Sequence, residues 1–273
     1  MEKRSRAFYV LAALFGLFVL FLYGPIVTIG ILSFQGPQGG LTFPMNGVSL
    51  HWFFDLFEEQ AVGDIWGSFR RSFALGLMVM TTTVVVSVMG GLAFRRKFRG
   101  ASVLFYLIIA SLIIPSILVS LGVGLIFNIF DWGVRWPTSG FGAQLTWTLP
   151  FGLLIMFAIF NRFDKSFEEA ARDQGATWLQ TIRHVVLPII APSLIGVALF
   201  GFTLSYDEFA RTLLTSGSYN TLPLEIYGMT TNVTSPVLYA LGTLTTVFSF
   251  AMIGAFALLA MVFRRRAGKL RSR

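Results

Sequence analysis

Cysteine is absent from the 273 residues of the chain, and histidine occurs only twice, at His51 and His184. Without cysteine the chain can form no disulfide, no thiolate metal site and no cysteine nucleophile. Two histidines far apart in the sequence also offer no cluster of ligands for a catalytic metal ion. No convergent set of acids, bases or metal ligands is visible, so the sequence predicts neither a catalytic residue nor a metal site.

Charged residues are also scarce, at 12% of the chain, whereas soluble domains usually carry about 25%. Hydrophobic residues make up 55%. A chain this apolar needs lipid around most of its length, where helices satisfy their own backbone hydrogen bonds. At about 20 residues per span plus connections, the length accommodates about six or seven spans. The sequence therefore predicts an all-α, polytopic membrane protein with a single transmembrane domain over residues 1–273.

Six apolar stretches are each long enough to cross a hydrocarbon core of about 30 Å. The first is too long for the apolar region of a signal peptide, so we predict an uncleaved span. The fourth contains glycine, proline, glutamine and threonine, which predicts a helix buried in protein. The third contains Pro115, which predicts either a structural kink or a gate hinge. The stretches are Phe8–Phe34, Phe69–Phe94, Ala101–Phe127, Phe141–Asn161, Ile189–Leu214 and Val237–Phe263.

Most of the 21 lysines and arginines lie in four segments. Three lie in residues 1–7, four follow the second apolar stretch, four lie in residues 162–188 and six lie in the basic tail, residues 264–273. The positive-inside rule places such segments in the cytoplasm. The sequence thus predicts an even number of spans with both termini cytoplasmic. This topology accounts for the net charge of +8 without nucleic-acid binding.

The three connections on the other side, 35–68, 128–140 and 215–236, are rich in glycine, proline or aromatic residues instead. The first contains the run His51–Phe54, which predicts a short amphipathic helix at the membrane interface. Arg70 and Arg71 begin the second span on this side. They have two interpretations: contact with a soluble binding protein, or snorkelling of the side chains to the interface.

The longest connection on the basic side covers residues 161–188 and has a helix-forming composition. Ser166 followed three residues later by Glu169 predicts a capping box at the start of a short helix. Gly175 is predicted to end this helix, because glycine is the usual residue after a helix C-terminus.

A second short helix is predicted over residues 177–186, with Pro188 breaking it before the fifth span. Two short helices with a turn between them would lie beneath the membrane. On physical grounds alone two interpretations stay open. The segment could press into a groove of a partner protein, or it could be a linker that lies on the bilayer.

The spacing within this segment resembles a family motif. The pattern is Glu169-Ala170-Ala171, three residues, Gly175, nine residues, Val185, one residue and Leu187-Pro188. It resembles the EAA motif of binding-protein-dependent ABC importer permeases, with valine where the family has isoleucine. The resemblance implies a type I importer permease fold. It also implies that Glu169, Ala170, Ala171 and Gly175 enter a cleft of an ATPase, while Leu187 and Pro188 direct the chain into the fifth span.

The same resemblance implies the partners of the chain. These are a second permease subunit, giving a heterodimer that forms the translocation path, an ATPase dimer and an extracytoplasmic substrate-binding protein, all at a bacterial inner membrane. This chain contains no GxxxxGK[ST] loop, so ATP and Mg²⁺ would be bound by the partner ATPase. The chain itself is predicted to be no enzyme, to need no cofactor, and to contact membrane lipid but no nucleic acid.

A second set of residues suggests the subfamily. Residues 204–209, 215–217 and 221–227 are similar to the second permease subunit of spermidine/putrescine importers. The resemblance implies a polyamine or a related small organic cation as substrate. Opines, amino-acid derivatives and iron stay open as alternative solutes.

Three residues at the outer end of the fifth span are candidates for the translocation path: Tyr206, Asp207 and Glu208. Ionisable groups within spans are costly and usually face a cavity or a partner. Here they could attract a cationic substrate, or they could be charges at a helix end that pair with Arg211. An ion-driven secondary transporter is a weaker alternative, because such proteins favour internal repeats and charged residues at the midplane. A membrane enzyme or scaffold is disfavoured by the missing catalytic set.

Overall fold

The computed structural model describes residues 5–57, 63–96, 98–232 and 235–271. Within these ranges the secondary structure is helical, and the β pairing is limited to one isolated bridge between Gln35 and Val48. The all-α prediction is confirmed. The helices are α1 (Arg6–Leu32), α2 (His51–Asp55), α3 (Ile65–Phe94), α4 (Ala101–Ile113), α5 (Ser116–Ile129), α6 (Phe141–Asn161), α7 (Ser166–Asp173), α8 (Trp178–Thr181), α9 (Leu187–Tyr206), α10 (Leu222–Asn232) and α11 (Val237–Arg271).

Two compact units divide the chain, and α10 and α11 contribute residues to both. The first unit takes its described residues from 5–64 and 226–248. Its loop after α1 is held by the buried Gln35 side chain, whose Oε1 accepts a hydrogen bond from the Asn46 amide at 2.8 Å. The Tyr239 hydroxyl donates to the Leu41 carbonyl at 2.8 Å. The predicted short helix in this connection is present as α2.

Five helical segments in the described residues are long and apolar enough to cross a membrane, or up to six if α4 and α5 count as one span. This agrees with the prediction of about six spans. The third stretch is broken rather than merely kinked, since α4 and α5 meet at 106°. Ile114 and Pro115 both have extended backbones between them. Proline lacks the amide that would continue the helix and pushes the preceding residue out of the helical region.

The second unit takes its described residues from 65–225 and 249–271, and α3, α6 and α9 pack together in it. Close approach depends on small residues. A Cβ added at Gly201 of α9 would lie 3.2 Å from the Cα of Met80 of α3. The fourth span, Trp136–Asn161, begins with a π-helical turn, and 44% of its most apolar part is buried, the largest share of the five. The prediction that this helix is buried in protein is confirmed.

One predicted span boundary was wrong, and one helix was missed. The fifth helix ends at Tyr206 instead of Leu214, because side chains bind the next backbone groups in turns: Ser120 Oγ accepts from the Leu214 amide at 2.9 Å. The connection 215–236 contains α10, which was not predicted. The predicted sixth span, Val237–Phe263, is found as expected, and α11 continues through the basic tail to Arg271. Residues 1–4, 272 and 273 of the predicted termini lie outside the described residues.

Candidate coupling segment and intramembrane polar cluster

The start of α7 is organised by Asp164 rather than by the predicted capping box. Its Oδ1 accepts a hydrogen bond from the Ser166 amide at 3.0 Å. Hydrogen bonds from the backbone and side chain of Ser166 hold the pKa of the exposed Asp164 carboxyl below its usual value. Ser166 is the first helical residue, and the capping position, Lys165, has no side-chain capping bond. The predicted box between Ser166 and Glu169 is therefore wrong.

The turn at Gly175 agrees with the prediction. Gly175 has a φ of +81°, in the left-handed region that glycine adopts without strain. Its amide donates to the Arg172 carbonyl at 2.8 Å, and the Ala176 amide donates to the Ala171 carbonyl at 3.1 Å. These bonds satisfy carbonyls at the end of α7 and reverse the chain towards α8.

A capping box is present at the second helix, where it was not predicted. The Thr177 amide donates to Gln180 Oε1 at 2.8 Å, and the Gln180 amide donates to Thr177 Oγ1 at 3.4 Å. Thr-x-x-Gln matches the capping-box pattern as well as Ser-x-x-Glu does. The sequence therefore contained the signal for this capping box as well.

Pro188 does not break the second helix, contrary to prediction. The turn Ile182–Val186 is π-helical, and α8, this turn and α9 form one segment, Trp178–Tyr206, that is long enough to span. Pro188 lies in the first turn of α9, after the π-helical turn. A π-helical turn shifts the hydrogen-bond pattern by one residue, so proline's missing amide and its ring are accommodated there.

The six motif residues differ in their exposure. Glu169, Ala170 and Gly175 are exposed, as is Pro188, while Ala171 is half-buried. Leu187 is half-buried and packs against a core cluster that includes Met156, Val186 and Ile190. The surface that a partner could contact directly is therefore formed by residues around the end of α7 and its turn.

An ion pair missed by the sequence reasoning links this segment to α3. The Arg95 guanidinium forms a hydrogen-bonded ion pair with Glu168, the residue before the motif. Arg95 also lies over the rings of Phe160, at 4.9 Å, and Phe163, at 5.3 Å. In the sequence Arg95 contributed only to the count of basic residues, and no spacing rule connects it with Glu168 across 73 positions.

The three path candidates lie in different environments. Tyr206 is buried and stacks on Phe202, with ring centroids 5.8 Å apart. Asp207 is exposed, whereas Glu208 is buried. The Glu208 carboxylate lies 3.5 Å from Arg211 Nη1, so the pairing considered as an alternative is observed for this residue. The role of the three residues in a path stays a prediction.

Arg211 is the centre of a polar cluster that joins three parts of the second unit. Its Nη1 donates to Ser116 Oγ at 2.7 Å, at the start of α5. Its Nε donates to Thr146 Oγ1 of α6 at 3.3 Å, and its guanidinium lies 4.5 Å over the Trp147 ring. A nearby polar contact joins Ser205 Oγ to Gln144 Oε1, between α9 and α6. Polar residues within apolar stretches were the available sequence signal for this cluster.

A cavity of about 370 Å³ lies beside this cluster, at the break between α4 and α5. Its wall combines one charged side chain with apolar and aromatic groups. In the described residues Trp147 Nε1 is buried without a hydrogen-bond partner. No three His, Asp or Glu side chains in the described part of the chain are grouped as metal ligands. The lining residues are Leu112, Ile113, Ile114, Pro115, Ser116, Trp147, Phe151 and Arg211.

Curated proteins of similar sequence are permeases. The chain is 28% identical over 235 residues to the spermidine/putrescine transport system permease protein PotC of Haemophilus influenzae, covering 85% of this chain and 89% of the relative. It is 27% identical over 261 residues to the putrescine transport system permease protein PotI of Escherichia coli, covering 93% and 90%. Each is a protein to which this chain is similar.

Solved structures support the fold. A subunit of a bacterial ABC transporter involved in the import of the acidic polysaccharide alginate matches with a TM-score of 0.65 at 18% identity. The match covers 97% of this chain and 99% of that one. The MetNI methionine ABC transporter matches with a TM-score of 0.54 at 17% identity, covering 73% and 94%.

The family profile described as "Binding-protein-dependent transport system inner membrane component" matches residues 83–265. This range includes α6 to α9 and therefore both the EAA pattern and the polar cluster. The chain belongs to this family of multi-pass inner-membrane proteins and is a permease subunit of an ABC importer.

Proposed function

We propose that this chain forms one half of the translocation path of an ATP-driven importer and that residues 162–188, the coupling segment, dock on an ATPase. The observation that carries the proposal is the exposed surface of Glu169, Ala170 and Gly175 at a short helix that ends in a left-handed turn. This surface coincides with the EAA pattern. The basic segments support an orientation with both termini and the coupling segment in the cytoplasm.

The mechanism is alternating access. A second permease subunit would complete the path, and two ATPase subunits would move the coupling segments when they close on ATP and Mg²⁺. An extracytoplasmic binding protein would deliver the solute. The chain itself would hydrolyse nothing, since it has no nucleotide-binding loop of the GxxxxGK[ST] kind.

Copurification tests the docking. We expect an ATPase to copurify with the wild-type chain, and Glu169→Gln to weaken that association and reduce uptake. The matched control is Asp131→Asn, which removes a carboxylate from an exposed residue in the connection predicted to lie outside. Stable uptake by an assembly that holds no ATPase would contradict the proposal.

For the substrate, we propose a polyamine or a related small organic cation. The support comes from the names of the relatives and from the similarity of residues 204–227 to their subfamily. Within this chain, Asp207 is the candidate for attracting a cation, because its carboxylate is exposed. The charge of Glu208 is already compensated by Arg211. We therefore expect Asp207→Asn to reduce uptake of a cationic solute more than Glu208→Gln does, when uptake is compared per amount of folded protein in the membrane.

A second candidate is the import of a solute that carries a carboxylate, such as an opine or another amino-acid derivative. It is favoured by the Arg211 guanidinium in the wall of the 370 Å³ cavity, because guanidinium N–H groups are well suited to bind a carboxylate. A thermal-shift screen of the cognate binding protein separates the two. Stabilisation by putrescine or spermidine alone supports the first candidate, and stabilisation by carboxylated amines alone supports the second.

A further inference from the structure

We infer that α3 is the element that carries motion from the coupling segment to residues 215–222, the outer loop, and that the Arg95–Glu168 ion pair is the joint at its inner end. The inference rests on the proposed docking of the coupling segment. It assigns to Arg95 and Glu168 a positioning role in transport, outside the EAA motif itself.

The inner joint is built from partly buried groups. Arg95 directly follows α3, and the side chains of Arg95 and Glu168 are only 17% and 14% exposed. Charge-assisted hydrogen bonds of this kind are stronger than those between neutral groups. The aromatic rings of Phe160 and Phe163 flank the guanidinium and restrict where it can move. A displacement of α7 therefore pulls on the end of α3.

The next residue binds the second helix of the segment. The Arg96 guanidinium lies 5.3 Å over the ring of Trp178, the first residue of α8. Two consecutive arginines thus hold both helices of the coupling segment to the same end of α3. A rotation of the α7–α8 pair cannot leave α3 in place without breaking one of these contacts.

The other end of α3 is bound to the outer loop. Arg71 Nε donates to the Asn220 carbonyl at 2.6 Å, and its guanidinium lies 5.6 Å over the Tyr219 ring. The next residue, Ser72, accepts a hydrogen bond from the Leu222 amide at 2.8 Å. Two consecutive residues near each end of α3 therefore make contacts outside the helix. Arg71 and Ser72 contact the outer loop, and Arg95 and Arg96 contact the coupling segment.

The helix between these ends is suited to transmit a displacement. It contains 30 residues and no proline, and it is about 45 Å long at 1.5 Å per residue. Its glycine pair, Gly90-Gly91, is closely packed against Leu153, Met156 and Phe160 of α6, which restrains the helix there. The alternative routes contain a proline or a break: α6 contains Pro150, and α4 and α5 meet at 106°. The segment Trp178–Tyr206 also leaves the coupling segment, but it contains a π-helical turn after α8 and two prolines. Such features are where helices bend.

Charge reversal tests the joint in the assembled importer with its second permease, ATPases and binding protein. We expect Arg95→Glu and Glu168→Arg each to lower uptake per ATP hydrolysed by about tenfold, within the usual range of coupling between sites. The double exchange should restore it to within about threefold of wild type, because the pair is rebuilt. Arg99→Glu is the matched control, since Arg99 is exposed and lies in the same connection.

The response of the outer loop gives a readout that simple destabilisation would not reproduce. The chain has no cysteine, so Ser218→Cys offers a single exposed attachment point for a fluorescent label. ATP should change the label's emission in the wild-type background and with Arg99→Glu. The change should be lost with either single reversal and return with the double exchange. If Glu168→Arg does not fold, Glu168→Gln replaces it and should reduce the response.

Three results distinguish failure of the proposed function from failure of the Arg95–Glu168 joint. A wild-type assembly that holds no ATPase contradicts the proposed function. A normal ATP response of the outer loop in Glu168→Arg, with ATPase bound, contradicts only the role of the joint. A lost response that the double exchange does not restore, while ATPase stays bound, also contradicts the joint, because the contact would then not be the cause.

Discussion

Glu208 holds Arg211 at two points, since Oε1 accepts from the Arg211 amide at 2.8 Å and Oε2 lies 3.5 Å from its guanidinium. Both side chains are buried, at 7% and 4% exposure. The carboxylate therefore fixes the turn after α9 and compensates a charge inside the membrane-spanning unit. Of the two interpretations that the sequence left open for Glu208, the pairing with Arg211 is the one observed.

Replacing Glu208 with glutamine should destabilise the protein. The change leaves the Arg211 charge buried without its partner, and breaking a buried ion pair costs about 3–5 kcal/mol. Thermal unfolding in detergent micelles measures the effect. The neighbouring Asp207→Asn is the control and should change stability by less than about 0.5 kcal/mol, because Asp207 is exposed. Equal destabilisation by the two changes would contradict the importance of the pair.

Glycine 201 should tolerate no larger side chain. In Gly201→Ala the new methyl group would lie 3.2 Å from Met80 Cα and 3.4 Å from Thr83 Cβ, so α3 and α9 must separate. Overpacking of this kind costs about 1–3 kcal/mol. Gly196→Ala is the control in the same helix, where a new Cβ meets nothing within 4 Å.

Alanine at position 196 should therefore raise the unfolding temperature, since glycine within a helix is less favourable than alanine by about 1 kcal/mol. Opposite signs for the two alanine variants are expected in the same unfolding assay. Destabilisation at Gly196 and none at Gly201 would show that the two helices are not in the described contact.

The turn at Gly175 should depend on backbone conformation and not on space. A new Cβ there meets nothing within 4 Å, but the φ of +81° is unfavourable for most residues. Forcing a residue with a Cβ into that region costs about 1–3 kcal/mol. Gly175→Val should reduce copurification of the ATPase and uptake, whereas Gly175→Asn should retain most of both, because asparagine visits this region more readily. Equal losses in the two variants would indicate a steric requirement at the docking surface instead.

The capping box at Thr177 offers a local test of the coupling segment. Thr177→Ala removes the Oγ1 acceptor of the Gln180 amide, which costs about 1 kcal/mol at a helix start. Ser166→Ala, at the start of α7, removes no capping bond to the helix and should have a smaller effect. Limited proteolysis of the segment should therefore be faster for Thr177→Ala than for Ser166→Ala. The reverse order would restore the capping role predicted for Ser166.

Span positions and the coupling pattern could be predicted from the sequence because both depend on local composition. Apolar runs of about 20 residues require lipid or a protein interior, and glycine at position 175 indicates the end of a helix. The break at Pro115 was predicted only as a kink, because a single proline does not specify the angle between the two halves.

The remaining features depend on residues far apart in the sequence. Arg95 and Glu168 are 73 positions apart, and Ser116 and Arg211 are 95 apart. Sequence patterning finds which face of a helix is apolar, but not which polar side chain meets another across a packed interface. Pro188 was misjudged for a related reason: the usual rule assumes α-helical geometry, and the π-helical turn before it removes the conflict.

The π-helical turn Ile182–Val186 also determines how α8 is rotated about the helix axis relative to α9. Because α8, this turn and α9 are continuous, the side of the helix that carries Trp178 and the side that packs in the second unit belong to one continuous helical segment. Each residue added to or removed from a helix rotates everything beyond it by about 100°. The one extra residue of the π-helical turn thus fixes the angle, about the helix axis, between the face that carries Trp178 and the face of α9 that packs against α3 and α6. A change in the length of this short stretch would rotate Trp178 about the helix axis relative to α9 and would also change the spacing between Gly175 and Leu187, which explains why that spacing belongs to the EAA pattern.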